Sequence, residues 1–339
     1  MTLAVQSCVS CGRRLGFGGL VGLILTAGLV GSSLAQDPSG NSAAGFRTIV
    51  DKQQRETLRQ VSEYVAAHPD ADDLDQAFLW ILETASANGL EAEVLPVAEQ
   101  FLKRRDLDQA AIAQAQHVLS LGLARTGRRN EAATAFEAYL RGVRFQSPFK
   151  ALDVASSLSA IARIEGDLVG SREILERVSS AYPLNQQIGD IIEGRIARQE
   201  LIGQPVPRFG TNDLEGKPIE SGDYAKRVLL VDFWGTNCAP CLAEFPNLKQ
   251  LYRDYHEQGF DILGVSFDDS PATVEAFRAR ARLPWRMAMN ETAAGPVSGR
   301  FKVRTIPALF LIDKQGRVAN VDVRGPDLRK VIEKLLKSS

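Results

Sequence analysis

The sequence lacks a charge imbalance and contains little histidine. It has 40 Lys and Arg residues against 41 Asp and Glu residues, which gives a formal net charge of −1. A nucleic-acid-binding domain usually shows a basic face or a recognition motif, and because neither is found the sequence predicts no nucleic-acid partner. His68 and His117 have no Cys, Asp or Glu set beside them at the spacing of metal ligands. The sequence therefore predicts neither a metal site nor a cofactor.

Cysteine is also scarce. Four cysteines form two Cys-x-x-Cys pairs, Cys8/Cys11 and Cys238/Cys241. The pairs of a zinc site usually lie about 15–20 residues apart, whereas these are separated by most of the chain, so a shared zinc site is disfavoured. No Cys-x-x-Cys-His motif for haem attachment occurs, and the protein is not predicted to carry covalent haem.

Apolar runs that could enter a membrane are limited to the N-terminus. The run from Leu15 to Val30 follows Arg13-Arg14 and precedes the small residues of Ser33-Leu34-Ala35. This layout predicts a signal peptide over 1–35 and an exported protein of the periplasm or cell envelope. An uncleaved membrane anchor at 15–34 remains an alternative. The polar residues 36–46 are predicted to form a linker.

The stretch 47–201 is rich in helix-forming residues, and its apolar residues recur at helical spacing. Gly89, Gly127 and Gly166 lie about 38 residues apart, which is in the range of helical-hairpin repeats. The second unit, from Leu121 to Leu140, resembles a tetratricopeptide repeat, with small residues where two helices would cross closely. The stretch is predicted to be an all-α, tetratricopeptide-like region, with an unrelated helical bundle as the alternative.

Strands and helices alternate in the last part of the chain, 203–339, which predicts an α/β domain. A hairpin is expected at 212–217. The further predicted elements are strand 227–233, helix 238–258, strand 261–267, helix 271–282, strand 285–289, helix 294–301, strand 308–312, strand 318–323 and helix 326–337. The predicted fold class is therefore multidomain, with a helical region followed by an α/β domain.

Cys238 and Cys241 fall where a predicted strand gives way to a helix. Unpaired N–H groups and the helix dipole favour a thiolate at a helix N-terminus. Disulfide exchange needs an exposed thiolate that attacks and a second thiol that resolves the mixed disulfide. Cys238, at the helix entrance, is predicted to attack, and Cys241, one turn later, to resolve. A structural disulfide is the alternative.

The stretch from Val228 to Cys241 resembles the active-site region of the thioredoxin superfamily. Two features resemble its ResA/TlpA branch of extracytoplasmic thiol-disulfide oxidoreductases: Phe245-Pro246 after the dithiol, and the lead-in from Gly203 to Pro218. The resemblance covers about 203–339 and says nothing about 36–200. It implies a thioredoxin-like fold, a redox-active Cys238–Cys241 disulfide, and a branch-specific insertion between about 268 and 300.

The resemblance also implies roles for other residues. Ile306-Pro307 matches the cis-proline loop, whose backbone can pair with an extended substrate; an ordinary trans proline is the alternative. Trp234 is expected beside the active site as a substrate-binding residue, or else as a core aromatic. Asp232 matches a buried proton acceptor for the resolving cysteine and should have a raised pKa, although a hydrogen-bonded structural Asp is possible on the sequence alone.

Three neighbouring positions complete the comparison with the branch. Glu244 matches a common polar position, although simple solvation on the helix surface is the default expectation. Pro246 is expected within the helix and to kink it. Asn237 departs from the Trp that commonly precedes the first cysteine, which affects the expected substrate range rather than the chemistry.

The sequence thus predicts an exported thiol-disulfide oxidoreductase that reduces or exchanges disulfides in partner proteins and draws electrons from an upstream thiol donor. A peroxiredoxin-like peroxidase is an alternative. Such enzymes place Thr or Ser three residues before the cysteine, where this chain has Gly235, with Thr236 one position later. A second alternative, from another class, is a docking protein whose helical array binds a partner.

Overall fold

The computed structural model describes residues 42–144 and 148–338. The expected signal segment 1–35, with Cys8 and Cys11, therefore lies outside the described residues. The first helix begins at Ser42, inside the expected linker 36–46, where Ala43-Ala44 are strong helix formers. No helix of the described ranges has the length and apolar character needed to cross a bilayer.

The first half of the described chain is helical. Its helices are α1 Ser42–Ala67, α2 Leu74–Asn88, α3 Leu95–Phe101, α4 Gln109–Arg125, α5 Arg129–Val143, α6 Pro148–Ile164, α7 Leu168–Ala181 and α8 Gln186–Gln199. The three predicted turn glycines, Gly89, Gly127 and Gly166, end α2, α4 and α6 with positive φ, as glycine does most easily. Helices α4 and α5 pack as a pair, as do α6 and α7. The first unit differs, because a short 3-10 turn, Glu91–Val94, precedes its brief second helix.

The second half has the α/β order that the sequence predicts. A short hairpin, β1 Gly210–Asn212 with β2 Pro218–Glu220, comes first. The later elements are β3 Val228–Trp234, α9 Ala239–Tyr255, β4 Phe260–Ser266, α10 Pro271–Ala281, β5 Arg286–Met289, α11 Val297–Arg300, β6 Ala308–Ile312, β7 Val318–Val321 and α12 Gly325–Lys337. The five-stranded sheet has the order β5-β4-β3-β6-β7. Strands β5, β4 and β3 are parallel to one another, β6 runs antiparallel to β3, and β7 runs antiparallel to β6. This is the thioredoxin-like arrangement.

The central strand β3 is buried along its whole length, as is usual for a strand covered on both faces. Leu229, Val231 and Phe233 pack into the core on one face. Leu230 and Trp234 pack into the other core, together with residues of α9 and α12. Because strand side chains alternate between faces, Asp232 lies on the face that α9 and α12 cover.

The helical half packs directly on the sheet half. Helix α6 contributes Ala160 to the same core as α9 and α12. Arg163 of α6 donates to the carbonyl oxygen of Val321 in β7, over 2.8 Å. Arg198 of α8 forms a two-nitrogen ion pair with Asp322, at 3.0 and 2.7 Å. We call this contact region, where α4, α6 and α8 meet residues 320–327, the helix–sheet junction.

Candidate functional site

A disulfide joins Cys238 and Cys241 at the start of α9, with their Cα atoms 5.2 Å apart. Cys238 is the N-cap residue of α9, and its sulfur accepts from the backbone N–H of Cys241 at 3.3 Å. Cys238 is partly exposed, whereas Cys241 is only 3% exposed. A thiolate formed at Cys238 would therefore reach solvent and be stabilised by a backbone N–H and the helix dipole.

The turn before Cys238 is fixed by a neighbouring loop. Asp268, just after β4, accepts from the backbone N–H of Thr236 at 3.0 Å and from its hydroxyl at 2.5 Å. Ser266 also donates to Asp268, at 2.7 Å. Burial opposes ionisation of Asp268, but the hydrogen bonds from Thr236 and Ser266 outweigh it and lower the pKa of its carboxyl group. The hydroxyl of Thr236 is thus occupied by a carboxylate. The sequence had not singled out Asp268, which follows β4 without a recognisable motif.

Ile306 and Pro307 lie directly before β6, and the peptide bond between them is cis, as the sequence comparison had led us to expect. Both residues are partly exposed. A Cβ atom built on Gly235 would lie 3.2 Å from Cδ1 of Ile306. Glycine at position 235 therefore lets the cis-proline segment approach the turn that leads to Cys238.

Asp232 is 4% exposed, and its carboxyl group has no hydrogen-bond partner among the residues that the structure describes. Burial raises its pKa to about 7; Arg324 acts in the opposite direction, and the charge of Glu244 adds to the increase. The raised pKa agrees with the sequence-based expectation. A carboxyl group with this pKa exchanges a proton readily near neutral pH.

Glu244 is tied into the structure rather than simply solvated, so the default expectation for this residue is wrong. Its Oε1 atom accepts from the side-chain amide of Asn247 at 2.7 Å and from the backbone N–H of Gly325 at 3.1 Å. The bond from Gly325 attaches α9, one turn after Cys241, to the start of α12. Pro246 lies inside α9, as predicted.

Trp234 does not reach the surface, so the expectation that it binds substrate is wrong. Its side chain is 0% exposed. It packs edge-on against Phe245, with ring centroids 5.0 Å apart, and is tilted against Phe277. The strand alternation that directs Trp234 toward α9 places it in the core beneath the dithiol, which is the alternative that the sequence left open.

The segment whose Gly325 binds Glu244 also contacts the helical half at the helix–sheet junction. Arg125 of α4 pairs through two nitrogens with Asp327, at 2.6 and 2.9 Å, and through a third with Glu91, at 2.9 Å. A Cβ atom on Gly89 would lie 3.1 Å from Pro326. Residues 322–327 therefore contact the dithiol-bearing helix on one side and the helical half on the other.

The comparisons with known proteins match the second half of the chain. The sequence profile of the AhpC/TSA family matches residues 202–321. The thiol-disulfide oxidoreductase ResA of Bacillus cereus is 32% identical over 167 residues, which is 48% of this chain and 95% of that protein. ResA of Bacillus anthracis is 34% identical over the same shares of the two chains.

Solved structures match a similar share of this chain. The thioredoxin domain of a thiol-disulfide oxidoreductase from Bacteroides vulgatus is 26% identical and has a TM-score of 0.38; the match covers 40% of this chain and 98% of that one. The ResA relatives are matched over nearly their whole length. The chain therefore belongs to the ResA family of thiol-disulfide oxidoreductases.

Proposed function

We propose that Cys238 and Cys241 carry out the thiol-disulfide exchange of this protein. The observation that carries the proposal is the Cys238–Cys241 disulfide at the start of α9, with one sulfur partly exposed and the other buried. This asymmetry suits a catalytic pair, because the exposed sulfur has to reach the substrate and the buried sulfur has to reach only the first one.

In the reducing direction, the Cys238 thiolate attacks one sulfur of a substrate disulfide and forms a mixed disulfide, releasing the first substrate thiolate. The Cys241 thiolate then attacks Cys238, releases the second substrate thiolate and closes the internal disulfide. The substrate gains two electrons and the protein loses two. An upstream dithiol donor restores the reduced form.

Asp232 is proposed to accept the proton of the Cys241 thiol before the second step. Asp232 lies on the face of β3 that α9 covers, and Cys241 of α9 packs into the core on that face. Its raised pKa leaves the carboxyl group available to gain and lose a proton near pH 7. Glu244 contributes to that raised pKa through its negative charge.

The substrates are proposed to be proteins whose disulfide lies in an extended segment. Ile306 offers its backbone next to the cis Pro307, at the partly exposed edge that approaches Gly235. Backbone pairing of this type accepts many sequences, since it does not depend on side chains. Export to the periplasm or cell envelope, through 1–35 or an anchor at 15–34, is part of the proposal and rests on the sequence layout.

The experiment is a set of serine variants assayed with a disulfide-containing test protein and a thiol reductant. Cys238→Ser should reduce the catalysed rate to the uncatalysed background. Cys241→Ser should accumulate a mixed disulfide, visible as an added mass that a reductant removes. Cys8→Ser with Cys11→Ser is the matched control and should keep full activity. Full activity of Cys238→Ser would refute the proposal.

A thiol peroxidase is the second candidate, and one contact argues against it. The position three residues before Cys238 is Gly235, and the hydroxyl of the next residue, Thr236, donates to Asp268. A peroxide-consumption assay with the same variants separates the two activities. Docking of a partner on the helical half is a compatible proposal, supported by exposed apolar side chains at Val169 and Leu184.

A further inference from the structure

A cavity of about 200 Å³ lies at the helix–sheet junction. Its walls come from α6, α8 and residues 322–327. The lining includes the hydroxyl groups of Ser156 and Ser159 and the guanidinium groups of Arg163, Arg195 and Arg324. Three carboxylates, Asp153, Asp322 and Asp327, also line it. The volume and the polar lining suit a small hydrated or ionic guest rather than an apolar one.

The three arginines of this cavity have no ion-pair partner within the described ranges of the chain. Arg163, 7% exposed, donates only to uncharged acceptors: Ser159 at 2.6 Å, Asn320 at 3.2 Å, Ser171 at 3.0 Å and the carbonyl oxygen of Val321. Arg195 donates to the hydroxyl of Ser156. A buried cation without a counter-ion is costly.

The nearby carboxylates are already paired with other arginines. Asp322 receives two hydrogen bonds from Arg198, and Asp327 receives two from Arg125. Burial accordingly lowers the pKa of both Arg163 and Arg195 to about 10, in spite of the attraction of Asp322. Among the described residues, Asp153 is the lining carboxylate that no arginine binds directly, and it lies within electrostatic range of Arg195 and Arg324. The cavity therefore keeps an excess of positive charge.

We propose that this cavity binds a small oxyanion, a carboxylate or a phosphate, held by Arg163, Arg195 and Arg324. Charge-assisted hydrogen bonds from guanidinium groups match the geometry of both anions. The hydroxyl groups of Ser156 and Ser159 are close enough to the arginines to complete a polar shell. Nothing in this site depends on the dithiol.

Two sources can supply the same chemistry: a free anion, or an acidic side chain of a substrate protein. The second source links the cavity to the active site, because residues 322–327 line the cavity and also contact the dithiol-bearing helix. Arg324 precedes Gly325, whose N–H binds Glu244 one turn after Cys241. Residues 322–327 therefore contact both the cavity and the helix that carries the dithiol.

The first test is binding of inorganic phosphate to the oxidised full chain, with sodium chloride used to keep the ionic strength constant. Phosphate should raise the melting temperature of the wild type in a concentration-dependent way. Arg195→Gln and Arg324→Gln should each weaken the apparent affinity about tenfold, through loss of a charge-assisted contact. Glutarate serves as the carboxylate probe.

The control is Arg208→Gln, which removes the same charge from an exposed side chain with no hydrogen bond or ion pair within the described residues. It should bind phosphate as the wild type does. Each variant is compared with its own melting temperature without anion, so that lost stability does not imitate lost binding. If neither phosphate nor glutarate stabilises the wild type more than Arg195→Gln, the proposal is wrong.

The second test identifies the source and rests on the proposed function. Two disulfide peptides that differ by one Glu-to-Gln change near the cysteine are compared as substrates. If the wild type prefers the Glu peptide and Arg324→Gln loses that preference, the substrate supplies the anion. If phosphate binds but the two peptides react equally, the anion is free. Binding without any turnover would refute the proposed function and leave the anion site standing.

Discussion

The region beneath the dithiol and the helix–sheet junction each hold a buried carboxyl group, and the two groups have opposite surroundings. Beneath the dithiol, Asp232 has no hydrogen-bond partner within the described part of the chain, and burial raises its pKa to about 7. At the junction, the side chain of Asp322 is 10% exposed, but Arg198 binds it through two nitrogens and the backbone N–H of Leu309 donates to it at 3.1 Å. Burial opposes the ionisation of Asp322, and Arg198 with neighbouring arginines outweighs it and lowers the pKa.

The difference shows how the protein separates a proton-exchanging carboxylate from a structural one. A buried carboxylate without a bound cation changes its protonation state near neutral pH. A carboxylate held by a bidentate arginine stays ionised and fixes two elements together. Residues 322–327 belong to the junction and also contact the dithiol-bearing helix through the Gly325–Glu244 bond, so this segment gives a change at the junction one route to the dithiol.

The largest effect is expected from breaking the fixed pair at the junction. Arg198→Met should lower the free energy of unfolding by about 3–5 kcal/mol, because it removes the only arginine among the described residues that is hydrogen-bonded to the largely buried Asp322 carboxylate. Urea unfolding at neutral pH measures this change. The double variant with Asp322→Asn should recover part of the loss.

Arg172→Met is the matched control. Arg172 and Glu200 are both exposed and lie 3.9 Å apart, and such surface pairs contribute only about 0–1 kcal/mol. An equal loss in the two variants would mean that burial of the Arg198 pair is irrelevant.

The second-largest expected effect is a gain in the free energy of unfolding rather than a loss. Asp232→Asn should raise the free energy of unfolding at pH 8, by up to about 4 kcal/mol. The folded state binds a proton at Asp232 between about pH 4 and 7, whereas the unfolded chain does not, so wild-type stability falls as the pH rises through this range. The gain from Asp232→Asn should therefore grow across that window and vanish in acid. Unfolding curves at several pH values measure it.

Asp322→Asn is the control, because the pH dependence of its effect on stability should run in the opposite direction. The lowered pKa of Asp322 gives stability that is present above its unfolded pKa and is lost as the pH falls through the lower folded value. The loss caused by Asp322→Asn should therefore be full at neutral pH and shrink in acid. Parallel pH profiles for the two Asn variants would contradict the comparison.

Asp232→Asn also tests the proposed role of Asp232 in catalysis. If Asp232 accepts the proton of Cys241, the rate of the resolving step in the wild type should rise through an inflection near pH 7, and the variant should lose this inflection. Stopped-flow measurement of mixed-disulfide decay gives the profile. An unchanged inflection in the variant would assign the titration to another group.

The smallest effect tests how closely α4 packs against Glu91 and Leu95 in the helical half. A Cβ atom on Gly122 would lie 2.7 Å from both the carbonyl oxygen of Glu91 and Cδ2 of Leu95. Gly122→Ala should therefore cost about 1–3 kcal/mol and disturb Glu91, a partner of Arg125. Gly189→Ala, in α8 with open space around it, should stabilise by about 0.5–1 kcal/mol. Thermal unfolding of both variants, compared with the wild type, checks the difference in sign.

The sequence predicted the sheet half well because its signals are local. The apolar run of β3 and the cysteine spacing at the start of α9 define the strand-to-helix turn without help from distant residues. The close approach of Gly122 to Glu91 and Leu95 was not predicted, because the sequence placed the close crossing between the two helices of one unit. The tetratricopeptide-like nature of the helical half and the limits of the domains stay predictions.

The contacts of the site could not be predicted in the same way because they join distant parts of the chain. Arg125 meets Asp327, and Glu244 meets Gly325, only after the two halves have packed. Trp234 was misassigned for a related reason: an aromatic residue beside an active-site turn faces either the substrate or the core, and only the alternation along β3 together with α9 decides which.

The most direct test of the central claim is a redox titration of the full chain against thiol buffers, with alkylation and mass readout at Cys238 and Cys241. The account predicts one reversible two-electron transition assigned to this pair. A midpoint potential near or below about −250 mV would place the protein with reductants such as thioredoxin, and one near −120 to −180 mV with oxidants or isomerases. A pair that stays oxidised or reduced throughout, with no reversible transition, would contradict the assignment of the dithiol as the reactive site.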